Sequence, residues 1–577
     1  MNRITKRVCL GGLSAMSVLV TARPPVMAAE RLYVRYSIFE RSLSIADLQA
    51  YVKHGQRSPQ LDSYLRFLRP AQQQQLRSLL QERLQIEPVS VAQFLYSPIG
   101  ERLLQRLAQV IRPTDRVSFY GLRSALILAA DDPDGLTLMS LLRHYPGPTL
   151  RVDLVKGLEI FASIQRVVAQ SKQALVAVQT QSEAETAQVP LGLPPQLLEL
   201  QDSGPFDWDK VSLKLTDSSS QRLDLTGAAR NFAAEIYLPR LPQIEPQPVV
   251  VISHGLGSNL QSYAYLAEHL ASFGFVVAVL EHPGSSTDQL VAWLKGAGKL
   301  PIQPAEFVDR PLDIKFLLDE LERRSQTEPL FRDRLNLKQV GLIGQSFGGY
   351  TVLTLAGAKI DLAYLHQACH AQLDTSLNLA LLFQCQSLEL PQRDYDFSDS
   401  RIKAVIAVNP IISGMFGPAS LAEVRLPVMV VAGSADTFAP PLPEQIQPFT
   451  WLTSPQRYLV TMDRATHFST LGEAPPNSTV LPVPSGLIGP QPSLARRYLG
   501  ALSTAFFQTY LGLERPSAPL LTPAAVHAIS QTPLPVSLSR QFTAAELRTA
   551  LQAPSRPPLP EKSSGRSPIY PRAVFVP

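Results

Sequence analysis

Gly344-Gln345-Ser346-Phe347-Gly348 is the segment of this chain whose residue types most directly suggest chemistry. It follows the apolar run Val340–Ile343 and leads through Gly349-Tyr350 into a helical pattern, so the serine stands on a strand–turn–helix bend. Such a bend brings backbones too close for larger side chains at its glycine positions and lifts the serine oxygen clear of the sheet. A serine nucleophile needs a base, and the base needs an orienting acid. Beyond the bend and before the proline-rich end, the histidines are His366, His370 and His467. The first two precede the next sheet strand and belong to an insertion. His467, in Arg464-Ala465-Thr466-His467-Phe468, follows the strand pattern Arg457–Thr461 and is the expected base. The expected acid is Asp436, at the carboxyl end of Val428–Val431, where parallel sheets gather their sites. Asp463 is its rival, four residues from His467. Backbone amides of Phe347 and Leu256 are the expected oxyanion donors, the latter from the loop Ser253-His254-Gly255-Leu256-Gly257-Ser258. His254 precedes the nucleophile and is read as structural.

The elements that must hold these residues alternate. Val249–Ile252, Phe275–Leu280, Val340–Ile343, Ala404–Val408, Val428–Val431 and Arg457–Thr461 are short apolar runs, and helical patterns separate them at Tyr263–Ser272, Arg310–Arg324, Phe347–Gly357 and Ser493–Leu511. Buried strands alternating with helices predict a mostly parallel sheet covered on both faces. Lys210–Leu215 and Asn231–Leu238 alternate apolar and polar residues, as an antiparallel hairpin would. This strand–helix unit is placed at 205–514. The insertion 358–400, rich in leucine, is expected to act as a lid or pocket wall over Ser346; its alternative is a packing insertion at the domain edge.

Upstream, 30–175 reads as a separate all-α domain without a nucleophile, metal or phosphate motif, and 176–204 as a linker. His54 and His144 are expected on its surface. Residues 1–29 have the basic start, apolar run and small residues of an export signal, shorter than a membrane span, with an uncleaved anchor as the alternative. Removing Cys9 with that signal leaves Cys369 and Cys385, a candidate disulfide in an oxidising compartment or else two buried thiols. The protein is therefore expected to be periplasmic or extracellular, and membrane-associated if the signal is retained. The formal charge of +5 comes from the two ends, and the body between them is slightly acidic, which argues against a nucleic-acid partner. Fifty prolines, many beyond residue 515, predict an extended or disordered tail over 515–577.

Ser253–Asn259, Glu281–Ser286, Phe307–Ile314, Gly344–Tyr350 and Val431–Thr437 together resemble the alpha/beta hydrolases similar to platelet-activating-factor acetylhydrolase. Within them the chain is similar to a mainly cyanobacterial group with an N-terminal helical domain of unknown function. The resemblance implies an alpha/beta-hydrolase fold and hydrolysis of carboxylic or lipid esters, with Ser346 and His467 carried over as catalytic residues. It implies a small ester or lipid substrate; acyl transfer through Ser346 and His467 needs no metal or organic cofactor, and the roles open to the N-terminal domain are capping the pocket, holding a partner or peripheral attachment to the membrane or cell envelope. One departure stands out: those acetylhydrolases place their acid where this chain has Asn409, in Ala407-Val408-Asn409-Pro410. Asn409 carries no charge, so the acid is expected one strand further on, at Asp436. The rival from another class is a non-catalytic binding protein that has kept the scaffold.

Overall fold

A computed structural model describes residues 29–36, 39–84, 86, 88–113, 119–147, 149–188, 196–297, 301–372, 378–473, 485–512 and 518–552. The chain divides into two units, one made of 1–95 with 100–157, the other of 96–99 with 158–577.

The first unit corrects the all-α expectation. Strands β1 (Arg31–Tyr36), β2 (Phe39–Ser44), β3 (Ile111–Pro113) and β4 (Thr149–Asp153) form a sheet in the order β2-β1-β4-β3. β1 pairs antiparallel with its neighbour β2 but parallel with β4, which arrives only after the helices. These strands are short and carry arginines among half-buried side chains, so little local pattern marks them; a distant partner makes them a sheet. The helices do follow the sequence. Ser44 caps Ile45–His54 by accepting from the Asp47 amide, and Leu48, Tyr51 and Val52 face the unit's core. His144 lies against Asp132 at 2.7 Å. The expected export signal lies outside the described residues except for Ala29, which is buried in this core.

In the second unit, nine strands form one sheet: β5 (Trp208–Asp217), β6 (Arg230–Pro239), β7 (Gln247–Ser253), β8 (Val276–Leu280), β9 (Leu335–Gln345), β10 (Ile402–Val408), β11 (Val428–Gly433), β12 (Arg457–Met462) and β13 (Val536–Ser539). Their order is β13-β12-β11-β10-β9-β7-β8-β6-β5. The run from β8 to β12 is parallel; β5, β6 and β13 are antiparallel to their neighbours. Alternate residues feed two cores. Val249 and Val251 enter the one beneath helices Glu306–Thr327 and Phe347–Leu355, while Val250 and Ile252 enter the one beneath Ala264–Ser272 and Pro492–Tyr510. Each fully buried Val, Leu or Ile side chain stabilises the fold by roughly 1.5–3 kcal/mol. Burial on both faces is why these strands read as unbroken apolar runs.

Two boundaries differ from expectation. The proposed linker 176–204 begins inside a single helix, Leu154–Thr186, which places Ala174 and Val178 in the sheet's core; Leu197 and Leu200 enter the opposite core. Gln179, Thr180 and Glu183 lie on the helix's outer face, whereas Ser182 and Glu185 are buried. Residues 518–552 of the expected tail are folded: helix Pro523–Ile529, strand β13 and helix Ala544–Gln552 cover the β12 edge, with 515–517 and 553–577 outside the described set. Its apolar residues are thinly spread between prolines, so only contacts made elsewhere in the fold order them. The insertion 358–400, among its described residues, follows the packing alternative rather than the lid. Leu365, Leu381, Phe383, Tyr395 and Phe397 are buried in the main core, and Cys369 and Cys385 are disulfide-bonded with Cα atoms 6.0 Å apart.

Candidate active site

β9 stops at Gln345, and Ser346 turns the chain with φ 56° and ψ −114° before helix Phe347–Leu355 begins. Positive φ is costly for serine and is held here by its surroundings. The Ser346 amide donates to the Val408 carbonyl of β10 at 2.8 Å. A side chain at Gly344 would strike the Gly348 carbonyl, and one at Gly348 would strike the Ser253 carbonyl, so both positions require glycine.

Three strand ends converge on the serine. His467, after β12, brings Nε2 to 2.9 Å from Ser346 Oγ, and its Nδ1 lies 2.7 Å from Asp436 Oδ2, after β11. With Nδ1–H donated to the carboxylate, Nε2 presents a lone pair to the serine hydroxyl. Asp436 Oδ1 accepts from the Phe438 and Ala439 amides at 3.0 and 2.7 Å. Gln345 Nε2 donates to the His467 carbonyl, tying the end of β9 to the histidine loop. Phe438 and Phe468 flank the imidazole, with ring centroids 4.9 and 5.2 Å away. Ser346, Asp436 and His467 are nearly buried, at 3, 4 and 5% exposure. Asp463 instead accepts from Ser434 Oγ at 2.9 Å.

Asn409 has a role that sequence reasoning missed. At φ 44°, just past β10, it donates from Nδ2 to Asp436 Oδ2 at 2.7 Å. Asparagine tolerates this left-handed backbone better than most residues. The strand-end position was legible, but the contact crosses to the next strand's loop.

The Leu256 loop closes the other side. A Cβ on Gly255 would come within 3.2 Å of Ser346 Cβ. Among the described residues, no acceptor takes the amides of Leu256 or Phe347. Arg310 fixes this loop: its guanidinium lies 4.4 Å from the Phe347 ring centroid and donates to the His254 carbonyl and, at 3.3 Å, to Ser285 Oγ. His254 donates from Nδ1 to the Gly255 carbonyl at 2.7 Å and accepts the His282 amide at Nε2. Burial, then the nearby Arg310 charge, holds its pKa well below the histidine value.

Beneath it lies a second hydrogen-bonded serine–histidine–aspartate chain. Ser253 Oγ is 2.9 Å from His282 Nε2, and His282 Nδ1 is 2.8 Å from Asp313 Oδ2. All three are 0% exposed, and Arg222 and Arg230 occupy Asp313 from the far side. It has the hydrogen bonds of a catalytic set but no route for a substrate, so it braces the loop. His366 and His370 face each other in the insertion, their rings tilted by 49° with 4.3 Å between centroids. Among the described residues, no group of three His, Cys, Asp or Glu side chains could hold a metal ion, and no helix is long and apolar enough to cross a membrane.

A serine-bearing turn between a central parallel strand and its helix, with an aspartate and a histidine at the ends of later strands, is the arrangement of the alpha/beta-hydrolase fold. Residues 28–153 match the family described as "Alpha/beta hydrolase of unknown function (DUF1400)", and 235–295 match "Platelet-activating factor acetylhydrolase, isoform II". The chain is 29% identical over 140 residues to the platelet-activating factor acetylhydrolase of Bos taurus, covering 19% of this chain and 32% of the relative. It is 26% identical over 152 residues to that of Cavia porcellus, covering 19% and 31%. The chain thus spans about a third of the length of these curated relatives. The first match falls on the N-terminal unit; the second carries the Leu256 loop and stops short of Ser346. Together they support a hydrolase similar to the acetylhydrolases.

Proposed function

We propose that this protein is a serine hydrolase that cleaves carboxylic esters, with lipid or short-chain acyl esters as substrates. The observation that carries the reading is the continuous path Ser346 Oγ–His467 Nε2, His467 Nδ1–Asp436 at 2.9 and 2.7 Å, on a strained turn. His467 takes the Ser346 proton as the oxygen attacks the ester carbonyl, and the Phe347 and Leu256 amides receive the developing oxyanion. His467 then protonates the departing alcohol, and water repeats the sequence in reverse to release the acid. The test is turnover of short-chain p-nitrophenyl esters together with fluorophosphonate labelling of Ser346. Absence of both overturns the proposal.

Export to the periplasm or beyond is part of the same proposal, supported by the basic-then-apolar residues 1–29 and by the Cys369–Cys385 disulfide. Cell fractionation with N-terminal sequencing of the mature chain tests it; an intact Met1 in the cytosolic fraction would overturn it.

A further inference from the structure

His366 and His370 have no part in the Ser346 site, yet they stand four residues apart on helix Leu362–Gln372 and so share one face. Both are exposed, and their ring centroids lie 4.3 Å apart. Among the described residues, neither ring takes part in a hydrogen bond or ion pair. His254 and His282 are also neighbours, but both are 0% exposed and committed to hydrogen bonds inside the fold. The turn that carries the exposed pair is fixed from its opposite side. Leu365, Ala368 and Cys369 are buried, and the disulfide ties Cys369 to the turn Cys385–Glu389. Asp361 holds the start of the helix, its Oδ1 accepting the Tyr364 amide at 2.8 Å and its carbonyl the Leu365 amide at 2.9 Å. With Cys369 oxidised and turned inward, the donors left on the exposed face are the two imidazoles.

Two imidazoles at i and i+4 make a bidentate ligand for a divalent transition metal. Each nitrogen sits about 2.0 Å from such a metal, which places the two nitrogens about 3 Å from each other. Rings already side by side reach that spacing by rotating about exposed side-chain bonds, with no movement of the backbone. We infer that His366 and His370 form a surface site for a metal ion of the Cu(II), Ni(II) and Zn(II) class, with Cu(II) held most tightly. Mg(II), which takes oxygen ligands, is refused. Among the described residues no third His, Cys, Asp or Glu completes the set, so the remaining positions belong to water. Gln367 stands where the H-E-x-x-H pattern has its glutamate base, so this site binds a metal without supplying that chemistry. It shares no residue with the Ser346–His467–Asp436 path, and the inference does not depend on the ester-hydrolase proposal.

The test titrates the full chain with Cu(II), Ni(II), Zn(II) and Mg(II) chlorides in a non-coordinating buffer. Calorimetry gives the affinities, and electron paramagnetic resonance counts the nitrogens on Cu(II). The expected result is one Cu(II) held by two imidazole nitrogens, weaker Ni(II) and Zn(II), and no Mg(II). His366→Ala and His370→Ala each lower the Cu(II) affinity about tenfold or more, because a single imidazole loses the chelate. Alanine keeps the helix, and circular dichroism confirms that the variants are folded. His54→Ala and His527→Ala, at the other exposed histidines, leave the affinity unchanged. Cu(II) also raises the wild-type Tm but not that of His366→Ala/His370→Ala, since only the folded helix brings the rings together. An unchanged Cu(II) affinity in the double variant overturns the inference, as does a spectrum with one imidazole nitrogen or none.

Discussion

Asn409 Nδ2 and His467 Nδ1 meet the same oxygen of Asp436, each at 2.7 Å. The asparagine at the end of β10 thus orients the carboxylate that follows β11. Two donors on Oδ2 and two backbone amides on Oδ1 leave the Asp436 side chain little freedom to rotate. Asp436→Asn should lower kcat about 10⁴-fold with the fold intact by circular dichroism, because the imidazole loses tautomer control and charge stabilisation. Asn409→Gly, which keeps the positive φ accessible, should lower kcat about tenfold by loosening the carboxylate. Asp463→Asn should leave kcat within about twofold, since its partner is Ser434. A large loss from Asp463→Asn would overturn the assignment.

The two serine–histidine–aspartate chains make opposite predictions. Ser346→Ala should abolish turnover and fluorophosphonate labelling. Ser253→Ala should keep labelling at Ser346 and lower stability by about 1–2 kcal/mol, through loss of a buried hydrogen bond. Mass spectrometry of the labelled peptide decides between them; adducts on Ser253 would contradict its role as a brace.

Glu185 is the residue through which the long helix grips the C-terminal segment. Glu185→Ala leaves the Arg540 and Gln541 amides without that acceptor and should cost about 1–3 kcal/mol. Limited proteolysis should then cut near β13 faster than in the wild type. Equal cleavage rates would mean the edge strand is held by β12 alone.

The disulfide joins helix Leu362–Gln372 to the turn at Cys385–Glu389 across a separation of 16 residues. Removing it in Cys369→Ala/Cys385→Ala should destabilise the protein by about 3 kcal/mol. Thermal melts with and without reductant measure this: reductant should lower the wild-type Tm and leave the double variant unmoved.

Stability should fall in acid because three histidines are held neutral. Burial is the main cause in each: His269 is pushed down to about 4, while His254 and His282 lie well below the ordinary value, with Arg310 adding to both. Below about pH 6.5 the unfolded chain binds protons that the folded state refuses, so the stabilisation is complete above that pH and is lost on descent toward 4. His269 alone should account for about 3 kcal/mol of this loss. Urea midpoints at pH 7 and 5 test it, and His269→Gln should shrink the difference. An unchanged difference would assign the acid sensitivity to other groups.

The interior strands and the Ser346 turn were legible in the sequence because their causes are local. Strands β7 to β12 bury both faces, which forces unbroken apolar runs, and a bend that brings the Gly344 and Gly348 backbones into contact admits only glycine there. Chain order and strand ends then singled out His467 and Asp436 as candidates. The tertiary structure alone decided what depends on residues meeting from far apart. β1 and β4 become strands by pairing with each other, and β13 is ordered by β12 and by Glu185. Asn409 acquires its role through a carboxylate on the next strand's loop. Ser253, His282 and Asp313 show the limit from the other side: residue type and hydrogen bonding alike suit a catalytic set, and only their burial excludes substrate. Periodicity reports a segment's own burial, whereas partners and access are properties of the assembled fold.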